Sequence, residues 1–398
     1  MNGVKKITDG IYWIGGSDKR LERFENIFPI PEGVSYNSYF IDDEKTAVFD
    51  TADITVSDQY LENLKDCLGD KKLDYLVVLH MEPDHCALIS TVAGLFPEVT
   101  IVGNAKTFTF MEQFFPESAG YNKLEVKEGD TLSTGKHSFQ FVMAPMVHWP
   151  EVMFAYDTVS KALLCADAFG TFGALDGGIF ADEYDFEKDF LDSARRYYAN
   201  IVGKYGMQVQ AVLKKAQGLD ISMLLPLHGP VWRKELNWFI DKYQKWSTYE
   251  PESEDIVIVY GSLYGHTASA AQALASCIRE KNNTNVKVLD VSGTDVSYLI
   301  GEVWRYRKIV LMCPTYNNGV YPPMENFLED MAAIGVQNRV FALAQNGSWA
   351  PVTVKLMGEK LSALKNVTII EESLTIKSAL HKNDNEGLEI FADAIIGA

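Results

Sequence analysis

Between Ser247 and Asp255 the chain changes its grammar. The stretch Ser247-Thr248-Tyr249-Glu250-Pro251-Glu252-Ser253-Glu254-Asp255 is polar, acidic and interrupted by a proline. It follows an amphipathic run carrying Trp238, Ile240, Tyr243 and Trp246, and it precedes the apolar run 256–260. Helix, linker and buried strand is the simplest order of elements. It sets a boundary near 250 between two α/β domains, 1–250 and 251–398. A 398-residue chain has the length for two or three domains at roughly 100–200 residues each.

Downstream of the break, strands are predicted at 256–260, 286–289, 309–313, 340–344 and 367–370, with helical patterns between them. Such regular alternation implies a doubly wound parallel sheet whose ligand lies beyond the C-terminal ends of the strands. After the first strand comes Gly261-Ser262-Leu263-Tyr264-Gly265-His266-Thr267, then a helix. Small and hydroxylated residues in a strand-to-helix turn offer backbone N–H groups, two hydroxyls and a helix dipole to a phosphate. The turn lacks the Gly-Lys-Ser/Thr of a nucleotide P-loop and the G-x-G-x-x-G of a dinucleotide site. Taken alone it reads equally well as a helix cap. Two further strand-end loops add to it: Pro314-Thr315-Tyr316-Asn317-Asn318-Gly319 and Gln345-Asn346-Gly347-Ser348-Trp349. Tyr316 and Trp349 also suit plain packing. Three such loops at one sheet edge suit a flavin.

Upstream, short strands rich in β-branched and aromatic residues are predicted at 11–14, 36–41, 46–49, 75–79, 139–143, 153–156, 163–165 and 223–226. A helix follows at 60–68, a long one is predicted at 186–215, and another closes the domain. Straight after the strand 75–79 comes His80-Met81-Glu82-Pro83-Asp84-His85, with four metal-ligand side chains in six residues. Pro83 argues for a loop and against a zincin helix. His148, Asp167 and His228 stand just past other predicted strands. Imidazoles and carboxylates in these positions are the usual material of a metal site. His137 and His381 lie in polar surroundings and read as solvated, and His266 reads as a loop residue and not a ligand.

The order H-x-E-x-D-H, then His148, Asp167 and His228, resembles the metallo-β-lactamase superfamily, and Glu82 in place of a histidine resembles its flavodiiron branch. The C-terminal half resembles flavodoxin through Ser262–Thr267 and the two later loops. Together the resemblance spans essentially the whole chain. It implies a metallo-β-lactamase-like αββα sandwich followed by a flavodoxin-like doubly wound sheet. It implies two irons per chain, with His80, Glu82 and His148 on one, Asp84, His85 and His228 on the other, and Asp167 bridging. It also implies FMN, with its phosphate on Ser262, Leu263, Tyr264, Gly265, His266 and Thr267. The ring would lie near Pro314, Thr315, Tyr316, Asn317, Asn318 and Gly319, and near Gln345, Asn346, Gly347, Ser348 and Trp349. The implied activity is reduction of O2 to water, with NO reduction as a competing activity. A zinc hydrolase fused to a flavodoxin-like domain is the alternative, since residue types alone admit zinc; Glu82 speaks against it. A plain electron-transfer flavoprotein is a further alternative, against which the complete ligand set speaks.

Composition narrows the setting. The first 250 residues carry 37 acids against 24 bases, and the rest 17 against 12, so both parts are acidic. That argues against nucleic acid or an anionic membrane as partner. No apolar run is long enough to span a bilayer. Five scattered cysteines without a C-x-x-C pair fit reduced thiols and a cytoplasmic setting. Without C-x-x-C no rubredoxin module is expected, so an external donor such as a rubredoxin or a reduced flavin or deazaflavin system is implied. The resemblance further implies a head-to-tail homodimer or a dimer of dimers.

Overall fold

Residues 3–398 are described by a computed structural model. They form two compact units, one comprising the chain up to Tyr198 with Tyr205–Gln244, the other Ala199–Lys204 with Lys245–Ala398. The second unit begins inside the helix Leu236–Ser247, ahead of the acidic stretch. Among the described residues no helix is long and apolar enough to cross a membrane.

Two sheets organise the first unit. One has seven strands in the order Lys5–Thr8, Ile11–Trp13, Tyr39–Ile41, Ala47–Phe49, Tyr75–Val77, Thr100–Gly103 and Asn122–Glu125. Its first four strands pair antiparallel. From Ala47–Phe49 onward pairing is parallel, because helices such as Ser57–Leu68 and Ala105–Phe114 carry the chain back between strands. The other sheet runs Thr131–Ser133, Ser138–Met143, Met153–Asp157, Ala162–Leu164 and Met223–Leu225. The two pack face to face through rings such as Phe49 and Phe139, whose centroids lie 4.8 Å apart.

Four readings need correction here. The predicted strand 36–41 is two strands: Val34–Tyr36 pairs with Gly16–Asp18 in a separate ribbon, while Tyr39–Ile41 joins the large sheet. Asn37 and Ser38 sit between them and spend their side chains on backbone carbonyls. The predicted helix 186–215 is broken into Phe186–Asp189, Leu191–Tyr197, a π turn Tyr198–Val202, a 3-10 turn Gly203–Tyr205 and Gly206–Ala216. Gly203 and Gly206 weaken a helix there, while the apolar spacing stays helical on both sides. Pro83 does not exclude a helix: it opens the short one Pro83–Cys86, where a missing N–H costs nothing. His137 is not solvated but buried, with Nδ1 2.8 Å from Asp157 Oδ2. His381 is exposed.

The second unit is a five-stranded parallel sheet in the order Val286–Asp290, Ser253–Tyr260, Tyr306–Pro314, Val340–Asn346 and Thr368–Ile376. Numbered along the chain this is 2-1-3-4-5, with its switch point between the first and third strands. Ile258, Val310 and Ala342 on one sheet face pack against Ala271, Leu274 and Phe391 of the covering helices. At the base, the buried Arg339 guanidinium donates to the carbonyls of Val303 (2.7 Å), Trp304 (3.0 Å) and Tyr249 (2.6 Å).

Candidate metal centre and flavin loops

The ligand loop of the first unit is held by two buried carboxylates that are not in the cluster itself. Asp50 Oδ1 accepts from the backbone N–H of Leu79 (2.8 Å) and of His80 (3.2 Å). Glu151 Oε1 accepts from Met81 N–H (2.9 Å) and lies 2.7 Å from His80 Nδ1. With its proton on Nδ1 facing Glu151, His80 presents a free lone pair at Nε2. His228 is arranged likewise, its Nδ1 lying 2.8 Å from the Ser35 carbonyl. Gly229 makes the turn behind it at φ +75°, where a Cβ would come within 2.2 Å of Thr171 Cγ2. Only glycine fits that approach.

All seven predicted residues come together, and all are buried. They fall into two groups, His80, Glu82, His148 and Asp167, and Asp84, His85 and His228. Glu82 Oε2 lies 3.2 Å from His80 Nε2 and 2.9 Å from His148 Nε2. Asp84 Oδ2 lies 3.2 Å from His228 Nε2 and 3.4 Å from His85 Nε2. Asp167 faces both groups. Its Oδ2 lies 3.1 Å from His148 Nε2, and its Oδ1 3.0 Å from His85 Nε2.

The electrostatics of the cluster are those of a site built for cations. Burial pushes the imidazoles toward neutrality, yet the carboxylates outweigh it: Asp84 and Asp167 hold His85 up at about 9, and Asp167 and Glu82 do the same for His148. Burial opposes ionisation of Glu82 and Asp167, but the surrounding histidines keep both well below the usual carboxylate range. Both oxygens of Asp84 and Oδ1 of Asp167 are buried without a hydrogen-bond donor. Buried carboxylate oxygens without donors, set beside four imidazole rings, fit two metal ions that would displace the ring protons, with four nitrogens and three carboxylates to share. Asp50 and Glu151 carry no separate signal in the sequence, being two acids among many. Glu25 carries no signal there either; it is an exposed residue whose carboxyl end is desolvated beside Glu82, and both effects push that carboxyl up.

In the second unit the three predicted loops meet beyond the strand ends, and Asn346 joins them. Its Nδ2 donates to Thr267 Oγ1 (3.2 Å), and its carbonyl accepts from Thr315 N–H (2.9 Å). Its Oδ1 accepts from Ser378 N–H (3.1 Å), bringing in a fourth loop not foreseen from sequence. The helix His266–Asn282 starts at Gly265, which has φ +93° and nothing within 4 Å of an added Cβ. The turn is an open cradle at a helix N-terminus, suited to a phosphate. Tyr316 and Gly319 close a tight turn by reciprocal backbone bonds, with Asn317 and Asn318 left-handed at its tip. Tyr316, Trp349, Tyr264 and Leu263 are exposed, as a planar ring partner would need. Two predicted contacts point elsewhere. Pro314 is buried in its strand, and the Gln345 side chain bonds Thr375 Oγ1 and Val354 N–H.

Residues 34–229 match the family model for the ODP family beta lactamase, and residues 258–388 that for flavodoxin. A nitric oxide reductase of Moorella thermoacetica is 31% identical over 374 residues, covering 93% of this chain and 92% of its own. The flavodiiron protein from Giardia intestinalis superposes with a TM-score of 0.92 at 25% identity, over 99% of this chain and 95% of that one. The chain belongs to the flavodiiron proteins. A second structure, the rubredoxin oxygen:oxidoreductase from the anaerobe Desulfovibrio gigas, superposes with a TM-score of 0.91 at 27% identity. It covers 98% of this chain and 97% of its own. As in the reading from sequence, the flavodiiron order is a metallo-β-lactamase-like domain followed by a flavodoxin-like one.

Proposed function

We propose that this flavodiiron protein reduces O2 to water, with reduction of NO to N2O as a competing activity. The chain is an oxidoreductase whose cofactors are FMN and a non-haem di-iron pair. On this reading His80, Glu82 and His148 hold one iron, Asp84, His85 and His228 hold the other, and Asp167 bridges. The observation that carries it is the two-sided Asp167 carboxylate, with one oxygen toward each group. Ser262 to Thr267 hold the FMN phosphate, and Tyr316, Asn317, Gly347 and Trp349 flank its ring.

When bound, FMN and the irons would supply redox chemistry that a side-chain cluster lacks: up to four electrons, enough with four protons to turn one O2 into two waters, or two electrons with two protons to turn two NO into N2O and one water. The residues contribute placement. Glu151 and the Ser35 carbonyl fix which ring nitrogens of His80 and His228 face inward. Glu82 in place of a histidine makes the donor set richer in oxygen, which favours iron in its higher oxidation state over zinc.

The names of the relatives support both gases, one being a nitric oxide reductase and one a rubredoxin oxygen:oxidoreductase. The latter name also supports an external donor of the rubredoxin type, with a reduced flavin or deazaflavin system as the other candidate. We further propose a cytoplasmic protein that acts as a head-to-tail homodimer or a dimer of dimers. The test is elemental analysis and gas consumption of purified protein, beside Asp167→Asn. About two Fe and one FMN per chain are expected, with O2 and NO both consumed. The variant should retain roughly tenfold less iron, since an amide offers one neutral acceptor where the carboxylate offers two anionic ones. Two zincs per chain, or wild-type iron content in the variant, would overturn the assignment.

A further inference from the structure

Behind the cluster lies a space that the reaction as described does not use. A cavity of about 230 Å³ opens between the second sheet of the first unit and the helices Gly206–Ala216 and Leu236–Ser247. Its rim is polar and reached from outside through the exposed Gln217 and Asn237. Its interior is apolar and almost closed to solvent, with Val147 1%, Ala168 3% and Phe169 4% exposed. These inner residues have an informative place in the chain. Val147 directly precedes His148, and Ala168 directly follows Asp167. The cavity lining therefore includes two residues that each stand one peptide bond from one of the seven clustered residues.

The chemistry of such a space is selective. Charged solutes lose their hydration on entering and find only a few neutral partners, Tyr243 and Gln244 among them. Apolar cavities of roughly 150 Å³ stay dry and take up xenon or small hydrocarbons. An uncharged diatomic gas pays almost nothing to leave water and fits easily.

We propose that this cavity is a holding site for the diatomic gas substrate beside the metal cluster. The inference rests on the gas-reducing reading above and adds the place where the gas gathers. O2 and NO share the relevant chemistry, so both should use it.

The test has two arms. The first is xenon: crystals of the full protein pressurised with xenon should show a peak inside the cavity, with or without iron. The second fills the space by Ala216→Phe at the rim and, separately, Val212→Phe deeper in. Iron content, FMN content and circular dichroism are checked to match wild type. Each variant should lose the xenon peak and raise KM for O2 and for NO by roughly threefold or more with kcat near wild type, the pattern of lost substrate binding without lost chemistry. Absence of xenon from the wild-type cavity overturns the proposal. So does an unchanged KM in a correctly folded variant whose cavity is shown to be filled. If iron- and FMN-loaded wild type consumes neither gas, the functional reading itself fails and this assignment falls with it. If wild type consumes gas and only the KM shift is missing, this inference alone fails.

Discussion

Asp167 was visible in the sequence only as an acid after a strand, and its two-faced position comes from the sheet geometry. The seven clustered residues are legible because they lie in segments that follow short apolar strands, and chemistry past strand ends survives errors in strand boundaries. Asp50 and Glu151 were not legible. They are two of 54 acids, and what sets them apart is burial against a loop more than 20 residues away in one case and about 70 in the other. Glu151 carries the sharper expectation. Its one oxygen serves both His80 Nδ1 and Met81 N–H. Glu151→Ala frees the His80 ring and leaves two donors without an acceptor. Iron affinity should fall roughly 10–100-fold, the range for partners of metal-bound histidines. Glu151→Gln keeps an acceptor and should fall less. Iron titration of metal-stripped protein measures both, and equal affinities in all three proteins would remove Glu151 from any positioning role.

At the scale of elements, strands were legible and interruptions were not. The broken helix 186–216 shows why: apolar spacing continues across the π turn, so periodicity alone sees one helix. The buried His137 was misread for a related reason, since its partner Asp157 lies across a sheet. That pair ties the strand Ser138–Met143 to Met153–Asp157, and it gives the sheet a pH signature. The hydrogen bond that its ring donates to Asp157 raises His137 above its ordinary value, while burial of Asp157 is outweighed by His137 and Ser160, bringing it down to about 2. The histidine's contribution is complete below its unfolded value near 6.5 and fades as pH rises through the raised one. The aspartate's contribution is complete above its unfolded value near 4 and fades as pH falls toward 2. Urea unfolding of wild type against Asp157→Asn should therefore differ most between about pH 4 and 6.5, by roughly 1.5–3 kcal/mol. A difference that is the same at pH 5 and pH 9 would exclude the charged pair. The loops of the second unit give a separate expectation. Removing the Ser262 and Thr267 hydroxyls together should weaken FMN binding and leave iron in place. Replacing His80 and His85 together by Ala should do the reverse. Absorbance and elemental analysis of the two folded proteins decide it, and joint loss of both cofactors in both would argue against independent sites.

At the scale of the whole molecule, the proposed head-to-tail dimer makes a prediction that no single chain can. A protein lacking His80 and His85 and one lacking Ser262 and Thr267 should each be nearly inactive alone. A heterodimer of the two keeps one intact flavin loop set and one intact cluster, on different chains. If the chains work in trans, purified heterodimers should recover up to about half of wild-type gas consumption, one of two symmetric pairs. Verified heterodimers without activity, or an active species that sediments as a monomer, would sink the assembly. Domain order was legible because the change in pattern near 250 is abrupt. Where the second unit starts was less so, since the first residues it needs belong to a helix that also completes the first.

Arg339 turns that difference into a matter of transplantation. Its buried guanidinium donates to the carbonyl of Tyr249, and Asn200 reaches the Ser297 carbonyl from a segment still further upstream. A gene cut at codon 251 would thus ship the flavin module without one of its own internal struts, whereas a cut at 245 would keep Tyr249 but forfeit the Asn200 tie and the bond from the Tyr249 hydroxyl to the Gly203 carbonyl. The seam of the module lies inside a helix and not in the loop where a fusion engineer would look first.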